Sequence, residues 1–262
     1  MKLRIQGVGK EFAGRDTRRS FAALAGVDLD VREGELLTLV GPSGCGKSTL
    51  LDLIAGLAAP TAGRILLDGI PLEGPGLDRG VVLRQYALFP WRTALSNIEF
   101  ALEGRAATRR ERADLAREYL DLVGLGGLGD RYPHELAHGM PQRVAIARSL
   151  ATDPALLLLD EPFAALDAGT RESLQEELLR IWQKTGTTLL FATRSLDEAV
   201  YLGRRVAVMT ARPGRIRGVV EVDLGAREGD PRDGSRFGEH RHEVWRLLRS
   251  DIDHDQKAPV AS

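Results

Sequence analysis

The sequence predicts an α/β fold built around a phosphate-binding loop, and two features indicate it. The first is a segment that fits the pattern G-x-x-x-x-G-K-[ST], namely Gly41-Pro42-Ser43-Gly44-Cys45-Gly46-Lys47-Ser48-Thr49. It lies between an apolar run at residues 36–40 and a helical pattern at residues 49–56. A second apolar run, at residues 156–159, leads directly into two carboxylates, Asp160 and Glu161. Buried strands that alternate with helices and end in polar residues are typical of an open α/β sheet with a ligand at its carboxyl edge.

The first part of the chain carries strand signals. Residues 3–40 alternate apolar and polar side chains with glycine-rich breaks, which predicts short antiparallel strands, the last of them a buried strand at residues 36–40. The helix after the phosphate loop is expected to end at Gly56, because glycine commonly follows the last helical turn. Residues 63–68 and the turn Asp68-Gly69 predict one further hairpin.

The middle of the chain alternates strands and helices. Residues 79–83 and 155–159 are compact apolar runs suited to central parallel strands. Charged segments with helical periodicity lie at residues 105–123, 142–151 and 170–183. A buried strand at 187–192, a helix at 195–202 and a strand at 205–209 complete the alternation. No internal repeat is visible.

The C-terminal part differs in composition from about Gly225 onwards. Residues 225–238 are rich in glycine, aspartate and arginine and predict a loop, whereas Glu239–Arg249 fits a short amphipathic helix. The last dozen residues have the composition of a disordered end. We therefore expect residues 1–224 to form the main domain and residues 225–262 a solvated, partly disordered extension.

Composition narrows the function class. The 262 residues are 43% hydrophobic and 28% charged, and the formal net charge of -1 provides no general basic field for nucleic acid. The single cysteine, Cys45, allows no disulfide within the chain and suits a reducing compartment. No signal-peptide block follows Met1, and no apolar run approaches the roughly 18 residues that span a bilayer. Any connection to a membrane is therefore expected to pass through another protein.

The phosphate loop has a clear physical purpose. Its glycines let successive backbone N–H groups point inward, and the helix N-terminus adds positive potential. Lys47 would reach the outer phosphates, while the Ser48 hydroxyl would ligate Mg²⁺. The flanking strand and helix favour nucleotide binding over an ordinary glycine-rich turn.

The carboxylate pair supplies the complementary chemistry. Asp160 would hold Mg²⁺ through water, and Glu161 would polarise the attacking water. A solvated acidic pair after a core strand is the alternative. The intact phosphate loop in the same chain makes that alternative the weaker of the two.

Two further segments complete a set of four motifs. Residues 132–148 have the sequence YPHELAHGMPQRVAIAR, and residues 165–167 are Ala-Leu-Asp. Together with GPSGCGKST and LLLLDEP, in this order, they resemble the ATP-binding subunits of ABC transporters over roughly residues 3–215. The resemblance implies a P-loop NTPase with a RecA-like core, an antiparallel β-subdomain and an inserted helical subdomain at about residues 87–150.

The resemblance also implies partners. Residues 86–93 and 196–202 are most similar to the nitrate, sulfonate and taurine importer branch of the family. A head-to-tail dimer with a second ATP-binding subunit, identical or different, would hold two ATP molecules with Mg²⁺ at its interface. Membrane-spanning permease subunits would dock near residues 86–100 from the inner face of the cell membrane. A periplasmic or surface solute-binding protein would take part indirectly, and nucleic acid would not.

Two site residues rest on the resemblance alone. Phe12 falls where the family stacks an aromatic ring on adenine, although a core position in the β-subdomain is an equal alternative. Asp167 would couple the two ATP sites.

Four positions depart from the family pattern around the γ-phosphate. Arg84 stands where the family has a glutamine that helps to position Mg²⁺, and Gln85 beside it is the other candidate for that metal-binding role. In the signature segment, Ala137 and His138 replace serine and glycine before Gly139, which removes a hydroxyl and adds a side chain close to the partner's phosphate. Arg194 replaces the usual histidine; it donates hydrogen bonds and pairs with phosphate, but it has no acceptor and does not deprotonate.

Two hypotheses follow from these departures. In the first, the chain is an ATPase subunit in which Glu161 is the general base and Arg194 assists, driving import of a small anion such as nitrate, sulfonate or taurine. In the second, the chain binds MgATP, hydrolyses little, and is a structural or regulatory partner in a heterodimer. Because Lys47, Ser48, Asp160 and Glu161 are intact, both hypotheses retain ATP binding.

Overall fold

The computed structural model describes residues 1–13, 20–104, 108–225 and 231–255. Its strands are β1 (Leu3–Ala13), β2 (Ser20–Val31), β3 (Leu36–Val40), β4 (Ala62–Leu67), β5 (Ile70–Pro71), β6 (Arg79–Val82), β7 (Leu156–Asp160), β8 (Thr188–Thr193), β9 (Arg205–Met209) and β10 (Ile216–Glu221). Its α-helices are α1 (Lys47–Ala55), α2 (Ala94–Ala101), α3 (Arg109–Leu122), α4 (Met140–Ala151), α5 (Ala168–Thr185), α6 (Leu196–Leu202) and α7 (Ser235–Asp255).

The chain forms two compact units. The first comprises Met1–Gly74 and Leu190–Ser262, and the second comprises Pro75–Leu189. The predicted division into residues 1–224, with a helical subdomain at about 87–150, and residues 225–262 stays a proposal. In the described part of the chain, no helix is long and apolar enough to cross a membrane.

The first unit contains a four-stranded sheet in the order β2-β1-β4-β5. The prediction of short strands broken at glycines was wrong in detail, because β1 and β2 run for 11 and 12 residues. Their register shifts between Ile5 and Val8, where Gly7 has a positive φ of 57°. Glycine adopts this conformation without steric cost, so the chain forms a bulge and the strand continues.

The first unit also contains the strand that leads into the phosphate loop. β3 is fully buried and pairs in parallel with β9, from Leu37 opposite Arg205 to Val40 opposite Val208. β10, which the sequence analysis did not predict, pairs with β9 in antiparallel fashion. The segment predicted as a helix at residues 195–202 forms α6, and α1 ends at the predicted Gly56 with φ 76°.

Helix α7 packs on α6, β9 and β10. It contains the predicted Glu239–Arg249 helix but begins at Ser235, inside the segment predicted as loop, and continues to Asp255. Phe237 and Val244 are buried on one face, and this apolar anchor explains why the helix extends beyond the prediction. The helix thus corrects the expectation of disorder for residues 251–255, whereas residues 256–262 lie outside the described residues.

The second unit joins a pair of parallel strands to a group of helices. β6 and β7 pair in parallel, from Arg79 opposite Leu156 to Val82 opposite Leu159, as the apolar runs predicted. α2, α3 and α4 pack against one another. The helix predicted at residues 105–123 is α3, which begins at Arg109 behind a capping box of Thr108 and Glu111; residues 105–107 lie outside the described residues. Helix α2 was not predicted from the sequence.

Candidate functional site

The phosphate loop lies in the first unit, between β3 and α1, and its glycines are sterically required. Gly44 and Gly46 have φ values of +77° and +95°. A Cβ on Gly46 would lie 2.6 Å from Leu24 Cδ2, and one on Gly41 would lie 2.6 Å from the Met209 carbonyl. A Cβ on Gly44 would meet no atom within 4 Å, so this glycine borders open space. The loop therefore keeps its backbone exposed on the side where a phosphate would approach.

Lys47 begins α1 and folds its side chain back into the loop. Its Nζ donates to the carbonyl oxygens of Gly41 at 2.8 Å and Pro42 at 3.1 Å, and it lies 3.7 Å from Cys45 Sγ. The residue is only 4% exposed, whereas Ser48 is exposed beside it. The loop thus positions a buried ammonium group and an exposed hydroxyl at one helix N-terminus.

Cys45 is a packing residue of this loop. It is fully buried, and burial raises the pKa of its thiol above the ordinary 9.0, although Lys47 acts in the opposite direction. The thiol therefore stays neutral at physiological pH. Its sulfur packs against Gly41, on which a Cβ would lie 2.7 Å from it.

The carboxylate pair lies in the second unit, where β7 ends. Asp160 Oδ1 is buried and has no hydrogen-bond partner in the described part of the chain. A buried carboxylate oxygen requires a partner, and the hydration shell of Mg²⁺ would provide one. Among the described residues, no cluster of three metal-ligating side chains occurs. This donor set fits Mg²⁺, which is commonly held by one carboxylate with water and substrate phosphates, better than it fits a metal caged by protein ligands.

Glu161 follows at once, and Arg84 bonds to it. The Glu161 carboxylate is buried, its backbone has a positive φ of 44°, and the Arg84 guanidinium donates to its Oε2. This ion pair was not predicted from the sequence, in which Arg84 was identified only as the residue at the position of the family's glutamine. Gln85 is exposed. Its neighbour Arg84, not Gln85, makes the ion pair with Glu161.

The signature segment forms the N-terminus of α4. Ala137 and His138 are exposed, and Gly139 caps the helix with φ 84°. A Cβ on Gly139 would lie 2.6 Å from Thr170 Cγ2, which ties this glycine to α5 within the same unit. Pro141 occupies the first turn, where it costs no hydrogen bond. The geometry leaves the His138 side chain in solvent at the helix end.

Asp167 caps the neighbouring helix α5. Its carboxylate accepts from the Thr170 N–H at 2.9 Å, and this bond lowers the pKa of Asp167 below the ordinary 3.8, with a smaller contribution from His138. A structural role for Asp167 therefore stands beside the coupling role that the resemblance implies.

Phe12 and Arg194 both lie in the first unit. Phe12 is 46% exposed near the end of β1, with Lys10 Nζ 5.2 Å from its ring centroid. This exposure contradicts the alternative that Phe12 is a core residue. Arg194 is exposed at the C-terminal end of β8.

A polar anchor beneath the loop at residues 86–93 was not predicted from the sequence. Asn97 of α2 is fully buried; its Nδ2 donates to the carbonyls of Phe89, Arg92 and Thr93, and its Oδ1 accepts from the Phe89 N–H. The Thr93 hydroxyl caps α2 by accepting from the Ser96 N–H. A Thr cap before the apolar spacing of residues 94 and 98 was the available signal for this helix.

Comparison with known proteins identifies the family. Residues 24–164 match the family described as ABC transporter. An uncharacterized ABC transporter ATP-binding protein of Methanocaldococcus jannaschii is 51% identical over 254 residues, covering 96% of this chain and 93% of that protein. The chain belongs to the ABC transporter family. It is an ATP-binding subunit of an ABC transporter.

Two further matches agree with this assignment. The nitrate import ATP-binding protein NrtD of Synechocystis sp. is 44% identical, covering 95% of this chain and 96% of that protein. A solved ATP-binding cassette, dimeric and bound to ADP and Pi in a post-hydrolysis state, is similar with a TM-score of 0.72 and 31% identity, covering 84% of this chain and 99% of its own. The predicted fold class, a P-loop NTPase, is thereby confirmed for this ABC transporter subunit.

The matched region is informative about the motifs of the ABC transporter subunit. It contains the phosphate loop, the segment Ala137–Gly139 and the carboxylate pair, whereas Phe12, Asp167 and Arg194 lie outside residues 24–164. The roles of all these residues remain predictions.

Proposed function

We propose that this ABC transporter subunit binds MgATP through its phosphate loop. Lys47, Ser48, Thr49 and the loop amides bind the phosphates, and Ser48 and Asp160 hold Mg²⁺. The single observation that carries the proposal is the enclosed Lys47 ammonium, which donates to two loop carbonyls. On binding, phosphate oxygens would replace these carbonyls as its partners. The unpartnered Asp160 oxygen supports the metal assignment. Bound Mg²⁺ would supply charge neutralisation of the phosphates.

The remaining site residues complete this proposal. The exposed Phe12 stacks on adenine, and Asp167 couples the two sites of a dimer. At the start of α4, Ala137, His138 and Gly139 face the ATP of the partner subunit. Glu161 accepts the proton of the attacking water, and Arg194 pairs with the γ-phosphate. The dimeric state of a solved relative supports a second ATP-binding subunit, identical or different.

An exposed aromatic surface supports docking of a permease near residues 86–100. The ring centroid of Phe89 lies 4.8 Å from that of Phe100 and 5.5 Å from that of Trp91. The Cζ atom of Arg92 lies 4.8 Å from the ring centroid of Phe100. Trp91 is 71% exposed. Aromatic and arginine side chains are enriched at protein interfaces, and this surface would place the subunit on the inner face of the membrane beneath its permease.

The transported solute belongs to the same proposal. A relative that is 44% identical is a nitrate import protein, and this supports import of a small anion such as nitrate, sulfonate or taurine, with a solute-binding protein acting indirectly. Disruption of the chain in its host should abolish uptake of one of these anions, measured with labelled solute. Unchanged uptake of all three would contradict the assignment.

A second candidate function is a subunit that binds MgATP but hydrolyses little, as a structural or regulatory partner in a heterodimer. The bond between Arg84 and Glu161 favours it, because the proposed base already has a cationic partner. Phosphate release at saturating MgATP, with Glu161→Gln as the blank, separates the two candidates.

Binding itself has a separate test. Lys47→Ala should abolish MgATP binding in a titration with a fluorescent ATP analogue, because no other side chain replaces its ammonium in the loop. The exposed Lys184→Ala is the matched control, at the end of α5. Retained affinity in Lys47→Ala would rule out the phosphate-loop assignment.

A further inference from the structure

Arg84 and Glu161 meet because of the strand register. β6 and β7 run in parallel with Val82 opposite Leu159. Arg84 and Glu161 each follow this last registered pair by two residues, so both positions lie just beyond the carboxyl ends of adjacent strands. The guanidinium of the half-exposed Arg84 then reaches the buried carboxylate of Glu161. The parallel pairing of β6 and β7 thus places the two residues close enough for the ion pair to form.

The segment that carries Arg84 is anchored on both sides. Gln142 of α4 donates to the Leu83 carbonyl at 3.4 Å. Arg148 of the same helix donates to the Ala87 carbonyl at 2.8 Å and to the Tyr86 carbonyl at 3.3 Å. Because α4 fixes the backbone before and after Arg84, the Cα of Arg84 stays within reach of the Glu161 carboxylate.

Charge distinguishes this contact from the one that glutamine would make. A guanidinium carries a permanent positive charge and donates strong charge-assisted bonds, whereas an amide donates a weaker neutral bond. Glu161 also has its backbone in the sparsely populated region at φ 44°, so its side chain has one fixed starting direction. In this arrangement Arg84 occupies one acceptor position of the Glu161 carboxylate, and that position is not open to a water molecule.

We propose that Arg84 is a positioning residue that restrains turnover by holding the Glu161 carboxylate in an ion pair, while nucleotide binding is left intact. The inference rests on the proposed function, since it assumes that Glu161 is the group that activates water. It adds a property that is built into this chain: a restraint on hydrolysis that is set by one arginine at the carboxyl end of β6.

The first test needs no nucleotide. We would measure the Tm of the full chain, of Arg84→Gln, of Glu161→Gln and of the double variant, without ATP or Mg²⁺. The inference expects non-additivity: Arg84→Gln lowers the Tm when Glu161 is present and has little effect when position 161 is glutamine. Additive shifts would show that the two side chains do not interact, and the inference would be overturned.

The second test measures hydrolysis. With saturating MgATP, Arg84→Gln should raise kcat about tenfold, as expected when a charged hydrogen bond is exchanged for a neutral one. KM should stay within about twofold, because the phosphate loop is unchanged. Arg84→Ala provides a second variant, and Arg110→Gln, the same substitution on an exposed helix, is the control. An unchanged or lower kcat in both Arg84 variants would overturn the inference.

Affinity for MgATP distinguishes the two levels of failure. If the parent chain and the Arg84 variants bind the fluorescent ATP analogue but kcat does not rise, only the inference about Arg84 fails. If the parent chain does not bind MgATP, the proposed function fails and the inference falls with it.

Discussion

Asn97→Ala should remove the anchor beneath the segment at residues 86–93. The amide of Asn97 has two protons on Nδ2, which are shared among three carbonyls, and one acceptor, Oδ1, which takes the Phe89 N–H. These groups amount to three full hydrogen bonds. At about 1 kcal/mol for each net bond, the substitution should lower the free energy of unfolding by about 3 kcal/mol.

The measurement is the Tm of the purified chain by calorimetry. For a chain of this size, 1 kcal/mol corresponds to a shift of about 2–4 °C, so Asn97→Ala should lower the Tm by about 6–12 °C. Glu99→Ala on the same helix is the matched control, since its side chain makes none of these bonds, and it should shift the Tm by less than about 2 °C.

The backbone groups that Asn97 satisfies lie closer to solvent than its own side chain. Asn97 is fully buried, but Phe89, Arg92 and Thr93 are only partly covered. If water enters after the substitution and satisfies these backbone groups, the loss of stability is small. A shift of Asn97→Ala no larger than that of Glu99→Ala would therefore refute the argument that this side chain holds the segment in place.

Three other predictions concern the α4 and α5 helices and the family departures. Gly139→Ala should lower the free energy of unfolding in urea by about 1–3 kcal/mol, because the new Cβ at φ 84° would lie 2.6 Å from Thr170 Cγ2. Gly127→Ala is the control, since a Cβ on Gly127 would meet no atom within 4 Å. Equal effects of the two substitutions would contradict the prediction. The pKa of Asp167 is lowered in the folded chain, so its cap stabilises the chain fully above the ordinary pKa of 3.8, and this contribution is lost as the pH falls through the lower folded value. The difference in Tm between the parent chain and Asp167→Asn should therefore shrink between pH 5 and about pH 3. A constant difference would contradict this prediction. Arg84→Gln, Ala137→Ser, His138→Gly and Arg194→His together should raise phosphate release above that of Arg84→Gln alone, and no gain would show that the other three departures are compensated.

Local patterns were sufficient to predict the elements that carry the phosphate loop and the carboxylates. An apolar run of five residues, a glycine-rich loop and a helix with glycine at its end predicted β3 and α1, and the structure confirms both. The same reasoning failed for α2, because its eight residues include the polar Asn97 on the buried face. This side chain is satisfied by the backbone of the preceding segment, a contact that hydrophobic periodicity does not reveal.

The bond between Arg84 and Glu161 shows most clearly what a pattern leaves out. The sequence identifies both residues, and it even predicts that their strands are parallel, but it does not specify the register of β6 against β7. A shift of one residue would have brought Gln85 level with Glu161 and given the carboxylate a neutral neighbour. The observed register, with Val82 opposite Leu159, selects the arginine. The departure from the family pattern at residue 84 therefore changes the neighbour of Glu161, and the identity of that neighbour depends on a nonlocal feature of the sheet.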